Sequence, residues 1–489
     1  MKKTICMILL LSFMLTALSC TSSDNGNSEE KPSSDTTAST ETSAEESDTP
    51  VLIAPNFDDI DGDGATIGVL LAMPELLYQY YPEESGDSFK DSIYYRDRDI
   101  EEELNIDFNY ILIDAFDKIY KNVSQSVLAG DDLINIINSH TFHGVTEMLS
   151  SGCVVDFNTI PNIDMSNIWW NQSLADTMTV NGKLMFAASD YVMPQATGML
   201  LNRDMVEAFS LEDPYDLVND GLWTIDKMSE LANSVYADLD GDGIYGAEDR
   251  YGIGAHLCFR WASFLYAGGL HVIELDGDGH AQLALNNERM YTLVEKLNAL
   301  VNHSNASYKP ENFNVSADAD SPQGKAVRNS FSEGKSLMLV ESIGFSLNIY
   351  RDTDVNYGII PMPKLYESDE YCTNSWEGLI AVPITVDDLG LTGAVLELLA
   401  YKNRADVFPI YYKSLLGEKI ARDKESVKML DLIFASVTYD FGISLIGYNN
   451  FSYAVAKMLR SNTTDFASYY AANEATVQAK IDKVYDSVK

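Results

Sequence analysis

The alternation of apolar and polar positions predicts strands and helices in turn through the first part of the chain. The aliphatic run Ala65–Ala72 follows an Asp-Gly turn and is typical of a buried strand. Two further strands are predicted over Ile106–Ile113 and Leu133–Asn138. Helices are predicted around them over 91–104, 118–128 and 143–150. This order predicts an α/β lobe with a mostly parallel sheet.

Longer helical patterns separate shorter strands in the rest of the chain. Strands are predicted over 198–202, 335–341 and 355–360. Helices are predicted over 204–209, 224–236, 288–302 and 325–333, and the pattern after Leu389 is mainly helical. Thr224 is a suitable N-cap for its helix. Because 489 residues exceed what one compact core usually holds, we expect two lobes.

The first fifty residues have a different pattern. Lys2 and Lys3 precede an apolar run that ends near Leu18, shorter than the ~20 residues of a membrane span. This run and the following Cys20 resemble a bacterial lipoprotein signal, although Ala17 stands where such signals prefer Leu. The resemblance implies that Cys20 becomes the lipidated first residue, which would carry palmitate. The alternative is an ordinary signal peptide with a chance cysteine.

Composition changes this picture in three ways. Residues 21–50 are almost entirely small, polar or acidic, which predicts a disordered acidic tether. The formal net charge of −41 argues against nucleic-acid binding. Cys153, Cys258 and Cys372 have no metal-binding spacing; at most one disulfide can form, and we expect none to be structural.

Several short stretches follow one another in an order that spans nearly the whole body. They are 91–98 with 102–106, Trp169-Trp170 with 180–187, 198–204, 213–215 with 221–224, 355–363 with 381–383, and 422–434. In this order and spacing the chain resembles the extracellular solute-binding proteins of bacterial ABC importers, specifically the sugar-binding group (family 1).

The resemblance implies a periplasmic-binding-protein-like (type II) α/β fold, with two lobes and a ligand cleft between them. It also implies a non-enzymatic protein that captures a carbohydrate, of oligosaccharide size, and delivers it to ABC permease subunits. We expect a monomer held at the extracellular face of the bacterial cell membrane through its lipid anchor only. The expected parts are a signal peptide (1–20), a tether (21–50), a first lobe (51–190 and 377–435) and a second lobe (191–376 and 436–489).

An acidic loop follows the helix predicted over 224–236. Its carboxylates and glycine match the spacing of an EF-hand loop, whose hard oxygen ligands bind Ca²⁺. Asp stands at the twelfth position, where Glu is usual. The predicted ligands of a structural Ca²⁺ ion are Asp238, Asp240, Asp242, Ile244 (through its carbonyl) and Asp249. The alternative is a metal-free turn. Asp276-Gly277-Asp278-Gly279 is instead predicted to be a hairpin turn.

Candidate ligand-binding residues lie at or just after the ends of predicted strands, because open α/β sheets bind ligands beyond the carboxyl ends of their strands. Trp376 is a candidate because it precedes the return crossing to the first lobe. Aromatic rings pack on the C–H faces of sugars, and charged groups bond their hydroxyls. The candidates are Asn138, His140, Asp190, Tyr191, Arg260, Trp261, Glu341 and Trp376. The alternative for each Trp is core packing, and for Asp190 a helix cap or a loop hydrogen bond.

Two other classes of protein remain open at this point. A surface glycosidase needs two carboxylates at a defined separation, and acidic residues are plentiful. A calcium-dependent lipoprotein that adheres to glycans would bind polymers without cleft closure. No Gly-x-Ser-x-Gly, His-Glu-x-x-His, P-loop or dinucleotide fingerprint occurs in the sequence.

Overall fold

Two mixed sheets organise the chain. The computed structural model describes residues 52–73, 79–192, 195–277, 280–310, 321–344, 349–350, 353–375, 378–420, 424–446 and 451–488. The strands are β1 (Ala65–Ala72), β2 (Ile106–Ile113), β3 (Ile136–His140), β4 (Thr179–Val180), β5 (Lys183–Leu184), β6 (Thr197–Asn202), β7 (Tyr251–Gly254), β8 (Ile273–Leu275), β9 (Ala281–Leu283), β10 (Ser307–Tyr308), β11 (Ser336–Ser342), β12 (Tyr357–Ile360), β13 (Thr373–Asn374), β14 (Gly378–Ala381) and β15 (Val437–Thr438).

Helices surround these sheets, and none of those described has the length and apolarity of a membrane span. They are α1 (Ser88–Leu104), α2 (Ile119–Ala129), α3 (Val145–Ser151), α4 (Gln172–Met178), α5 (Arg203–Ala208), α6 (Pro214–Asn219), α7 (Ile225–Val235), α8 (Ser263–Ala267), α9 (Glu288–Asn302), α10 (Pro322–Ser332), α11 (Leu389–Lys402), α12 (Phe408–Ile420), α13 (Lys424–Ala435), α14 (Phe441–Ile446), α15 (Ala454–Arg460) and α16 (Phe466–Ser487). Short 3₁₀ turns lie at Phe116–Lys118, Phe157–Thr159, Phe259–Ala262 and Phe451–Tyr453, and a π-helix at Asn403–Val407.

The sheet of the first lobe has the strand order β14-β3-β1-β2. β1 is parallel to both β2 and β3, and β14 is antiparallel to β3, which confirms the predicted mostly parallel sheet. Val69, Leu70 and Leu71 of β1 are fully buried, as expected for the central part of a sheet covered on both faces.

The sheet of the second lobe has the order β10-β7-β11-β6-β12. β7, β10 and β11 run parallel, whereas β6 pairs antiparallel with β11 and β12. Helix α13 packs against β12, so the structure places it beside this sheet, whereas the boundary predicted at 435 assigned it to the first lobe. The carboxyl ends of β7 and β11 lie at one edge, since these strands are parallel.

Three segments connect the lobes side by side. The first runs between Ala187, which bridges to Ile380 of β14, and β6. The second runs from β12 through β13 to β14, and the third contains β15, which pairs with β13. Ala196 also bridges to Ser375, so neighbouring segments are hydrogen-bonded to each other.

Most predicted elements are confirmed, and β1, β2 and the helix 288–302 have the predicted bounds. β3 begins at Ile136 instead of Leu133. The reason is a side-chain interaction, because Asn135 Oδ1 accepts the Gly68 N–H at 2.7 Å while Leu133 remains 64% exposed. Thr224 caps α7 as predicted, its hydroxyl accepting the Lys227 N–H.

The Trp169-Trp170 pair belongs to the core. Their indole N–H groups donate to the two carboxylate oxygens of Glu397, at 2.9 and 2.7 Å. Glu397 is 2% exposed and also accepts from Asn167. A buried carboxylate must be hydrogen-bonded, and these bonds hold the segment around residue 169 against α11.

Candidate functional site

A small cavity lies where the two lobes and their connecting segments meet. Its lining comes from the loop after β3, from α4, α8 and α14, and from β13, β14 and β15. The lining residues are Thr141, Leu174, Met178, Tyr266, Asn374, Ser375, Leu379, Thr438, Tyr439, Asp440, Ile443 and Ser444. Its volume of about 20 Å³ holds roughly one water molecule, so a sugar can enter only if the lobes move apart.

Two buried polar atoms of this lining have no hydrogen-bond partner in the part of the chain that the structure describes. They are Thr141 Oγ1 and Asn374 Nδ2. Asn374 Oδ1 accepts from the Ser263 hydroxyl, which fixes the orientation of the amide. Since buried polar groups are normally hydrogen-bonded, a hydroxyl acceptor near Asn374 Nδ2 would complete its bonding.

Asp440 is the carboxylate of this lining. Its oxygens accept the N–H groups of Gly442 at 2.8 Å and Val272 at 2.5 Å. The Tyr266 hydroxyl lies 3.5 Å from Oδ2. Burial raises the pKa of Asp440 above its ordinary value, although His271 and the backbone N–H groups oppose this. Burial and the nearby Asp440 also raise the pKa of Tyr266.

The candidates predicted in the first lobe lie outside the lining of this cavity, although His140 directly precedes Thr141 of that lining. His140 ends β3, and its Nδ1 accepts the Phe142 N–H at 3.2 Å. Burial and the adjacent His143 lower the pKa of His140 to about 3. Asn138 and Tyr191 are buried, and in the part of the chain that the structure describes neither the Asn138 amide nor the Tyr191 hydroxyl has a hydrogen-bond partner.

Asp190 and Tyr191 are fixed by the π-helix that follows α11. Asn403 donates to the carbonyls of Asp190 and Tyr191 at 2.7 and 3.1 Å. Arg404 forms an ion pair with the Asp190 carboxylate at 3.2 Å. Here Asp190 takes part in a tertiary ion pair, and its contact with a ligand stays a prediction.

The candidates of the second lobe form a buried ion cluster. Glu341 pairs with Arg260 at 2.6 Å and with Arg328 at 2.9 Å. Both arginines lower the pKa of Glu341, against the effect of burial. Trp261 is 1% exposed and packs on Phe264, which is the core role named as its alternative. The predicted ligand Trp376 lies outside the described residues.

The residues that sequence reasoning missed lie on the connecting segments. Asn374 and Ser375 directly precede Trp376, and Asp440 follows β15. The candidates predicted from the sequence lie near strand ends, which a hydrophobic pattern reveals. Polar side chains on a segment that connects the lobes have no such periodic pattern. The spatial approach of three such segments is a property of the tertiary structure.

The acidic loop has the shape expected of a turn stabilised by carboxylates. Carboxylate oxygens of Asp238, Asp240 and Asp242 lie within 4.8 Å of one another. Asp249 is 1% exposed, and its carboxylate accepts the N–H groups of Leu239 and Gly246. It therefore links the two ends of the loop by hydrogen bonds. The side chain of Ile244 is exposed, and its N–H donates to Asp242 at 2.7 Å.

Comparison with known proteins gives similar structures only. No protein-family model and no curated protein matches this chain. An ABC substrate-binding protein from Listeria monocytogenes in complex with cycloalternan has 12% identity and a TM-score of 0.54, covering 87% of this chain and 99% of that one. A solute-binding protein from Thermotoga lettingae bound with α-D-tagatose has 14% identity and a TM-score of 0.55, covering 86% and 100%.

A third similar structure is the cyclic α-maltosyl-1,6-maltose-binding protein from Arthrobacter globiformis. It has 13% identity and a TM-score of 0.55, and the match covers 87% of this chain and 98% of that one. At these identities the similarity concerns the fold. The chain therefore has the two-lobed α/β fold of periplasmic-binding-protein-like structures, as predicted.

Proposed function

We propose that this chain is the substrate-capturing component of an ABC importer, which binds a carbohydrate between its lobes and releases it unaltered to a membrane permease. One observation carries the proposal, namely that both lobes and the segments connecting them line a single cavity. A ligand held there would contact both lobes and thereby favour the closed arrangement.

The lining supports a polyhydroxylated ligand. Tyr266 and Tyr439 offer aromatic rings, while Thr141, Asn374 and Asp440 offer donors and acceptors for hydroxyl groups. No lysine or arginine occurs among the described lining residues, and the one charged side chain there is the Asp440 carboxylate. The lining would therefore repel an anionic ligand. Two of the similar structures are bound to sugars of different size, namely cycloalternan and tagatose, and this supports a sugar as the ligand.

The same lining favours capture over hydrolysis. Glycoside hydrolysis usually requires two carboxyl groups roughly 5–9.5 Å apart. Asp440 is the one carboxylate among the lining residues that the structure describes, and backbone N–H groups already bind both of its oxygens. We therefore infer a binding protein without an enzymatic step.

We expect isothermal titration calorimetry to detect binding of one or more members of a panel of maltotriose, cyclic glucans and monosaccharides. Small-angle scattering of the same samples should show a smaller radius of gyration with the bound sugar, because the lobes close around it. Peptides of similar size serve as the control panel. Binding of peptides but of no sugar would refute the carbohydrate assignment, and release of shorter sugars would reveal an enzyme.

The location of the protein is also a proposal. It rests on residues 1–50, including the lipidation candidate Cys20, which lie outside the described residues. A lipid on Cys20 and a polar tether would hold a monomeric binding protein beside its permease at the outer face of the cell membrane.

We further propose that the acidic loop binds a structural Ca²⁺ ion. Asp238, Asp240 and Asp242 would supply carboxylate oxygens, and Ile244 its carbonyl. Asp249, the fifth predicted ligand, is left out of this proposal because its oxygens accept the N–H groups of Leu239 and Gly246. The Asp242 N–H bond to Asp240 acts to lower the pKa of Asp240, yet desolvation and the Asp242 charge raise it above its ordinary value. A divalent cation would relieve this repulsion between neighbouring carboxylates.

Adding Ca²⁺ should raise the thermal unfolding temperature relative to EGTA, since a ligand at 100 times its Kd stabilises a protein by about 2.7 kcal/mol. Asp240→Asn combined with Asp242→Asn should remove this response. Asp276→Asn, in the β8–β9 hairpin turn, is the control and should retain it. Equal unfolding temperatures of the wild type in Ca²⁺ and EGTA would contradict the proposal.

A further inference from the structure

A groove of about 470 Å³ opens on the second lobe. Its walls are the end of α6, the loop 364–371 and part of α13. It shares no lining residue with the cavity between the lobes. Its volume lies within the roughly 300–1,000 Å³ of small-molecule sites. The groove is therefore large enough for a ligand of its own.

Lys364 supplies the positive charge at the floor of this groove. The residue is only 4% exposed. Its Nζ donates to the Glu367 carbonyl at 2.7 Å and lies 4.9 Å from the centroid of the Tyr371 ring. An ammonium group has three donors, and one of them is used here. None of the ion pairs among the described residues includes Lys364, which is unusual because buried lysines are normally paired.

Hydrogen bonds fix the main chain at Lys364, from which the side chain extends to the Glu367 carbonyl. The Lys364 N–H donates to the Trp223 carbonyl at 3.1 Å, and the Lys364 carbonyl accepts the Ile225 N–H at 2.9 Å. Gly221 lies beside Nζ with a φ of +72°, and a Cβ at this position would be 3.5 Å from it. The cation is thus a fixed part of the groove.

The remaining charges lie at the rim. Glu367 and Glu370 are exposed acids. Asp369 pairs with Arg289 at 2.6 Å, and Lys428 pairs with Glu425 at 2.6 Å. The groove therefore has a cation at its floor and two acidic side chains outside it. This arrangement attracts one anionic group inward, and it repels a ligand with several negative charges.

We propose that this groove is a second binding site, which takes a small zwitterion of the amino-acid class. Its carboxylate binds the two remaining donors of Lys364, and its ammonium group faces Glu367 and Glu370. The Tyr371 ring and Leu432 supply apolar contact for a short side chain. The proposal does not depend on the proposed binding of sugar.

The test titrates the purified full-length protein with each of the twenty common amino acids, in calorimetry and in thermal unfolding. We expect at least one of them to bind saturably and to raise the unfolding temperature. The analogue of that amino acid without its amino group, and the analogue without its carboxylate, should each bind at least about tenfold more weakly, as loss of a charge-assisted bond implies.

Variants locate the site. Lys364→Met should weaken amino-acid binding at least about tenfold while the unfolding temperature of the ligand-free protein stays the same or rises, because a buried charge has been removed. Lys457→Met is the matched control, because Lys457 also lies over a tyrosine ring, 5.4 Å from the centroid of Tyr469, and lines neither cavity; this variant should bind as the wild type. Glu367→Gln with Glu370→Gln should weaken the amino acid but not its des-amino analogue.

Three results would overturn the site. They are no binding by any of the twenty amino acids, unchanged binding by Lys364→Met, and unchanged binding by the Glu367→Gln/Glu370→Gln variant. Sugar binding by the Lys364→Met variant should equal that of the wild type, since the two cavities share no residue.

Discussion

Replacing Glu341 by Gln is expected to lower the free energy of unfolding by about 3–5 kcal/mol, the usual result of removing one partner from a buried ion cluster. Glu341 lies 2.6 Å from Arg260 and 2.9 Å from Arg328, and all three residues are buried. The amide keeps the shape of the side chain but leaves the two guanidinium groups without this negative charge. Urea unfolding followed by circular dichroism measures the difference.

The control for this substitution is Glu212→Gln. Glu212 pairs with Lys227 at 2.9 Å, and its side chain is 51% exposed. Exposed ion pairs contribute less than about 1 kcal/mol, so this variant should unfold almost as the wild type does. If Glu341→Gln kept its stability and instead lost sugar binding, Glu341 would contact the ligand, as the sequence pattern alone had suggested.

Replacing Asn374 by Asp should weaken sugar binding by about 10- to 100-fold, which corresponds to about 1–3 kcal/mol for a lost donor and an unsatisfied acceptor. Asn374 Nδ2 is a buried donor in the cavity between the lobes and has no partner among the described residues. The substitution replaces this donor by an acceptor that faces the hydroxyl oxygens of the sugar. It also adds a second carboxylate to a lining that already contains Asp440.

Calorimetry with the sugar that binds most tightly to the wild type measures this loss. Asn122→Asp is the control, because Asn122 lies on the exposed surface of α2 and its Nδ2 donates to the Lys118 carbonyl. This variant should bind sugar with wild-type affinity. Unchanged binding by a folded Asn374→Asp variant would show that the ligand does not contact this crossing segment.

Much of the fold could be predicted from the sequence, because burial of one face of a helix or strand imposes a regular spacing on its apolar residues. β1 lies in the middle of a covered sheet, so it is aliphatic throughout and its bounds are clear. The helix 288–302 buries one face, so apolar residues recur along it and its ends are marked by Asn287 and by His303. β3 was misplaced by three residues at its start, because a long-range bond from Gly68 to Asn135 replaces strand pairing there.

The candidate site was less accessible because a charged side chain has the same sequence signal in a binding site and in a buried ion pair. Arg260 follows β7 and Glu341 lies near the end of β11, as ligand-binding residues do, yet they pair with each other. Conversely, Lys364 lies in an irregular segment and Asn374 in the two-residue strand β13, and neither segment has enough regular structure for a hydrophobic period to mark a position as buried. Their environments depend on residues that are distant in the chain.

The sequence by itself determined the α/β class, the order of the elements and the acidic loop, since these depend on local propensity and on periodic burial. The two lobes were predicted from the length of the chain and from its resemblance to solute-binding proteins. Only the tertiary structure decided which polar groups meet across the lobes, which charges pair and where cavities remain. The physical reason is that an ion pair or a cavity depends on distances between atoms from separate segments, and packing fixes those distances after the elements have formed.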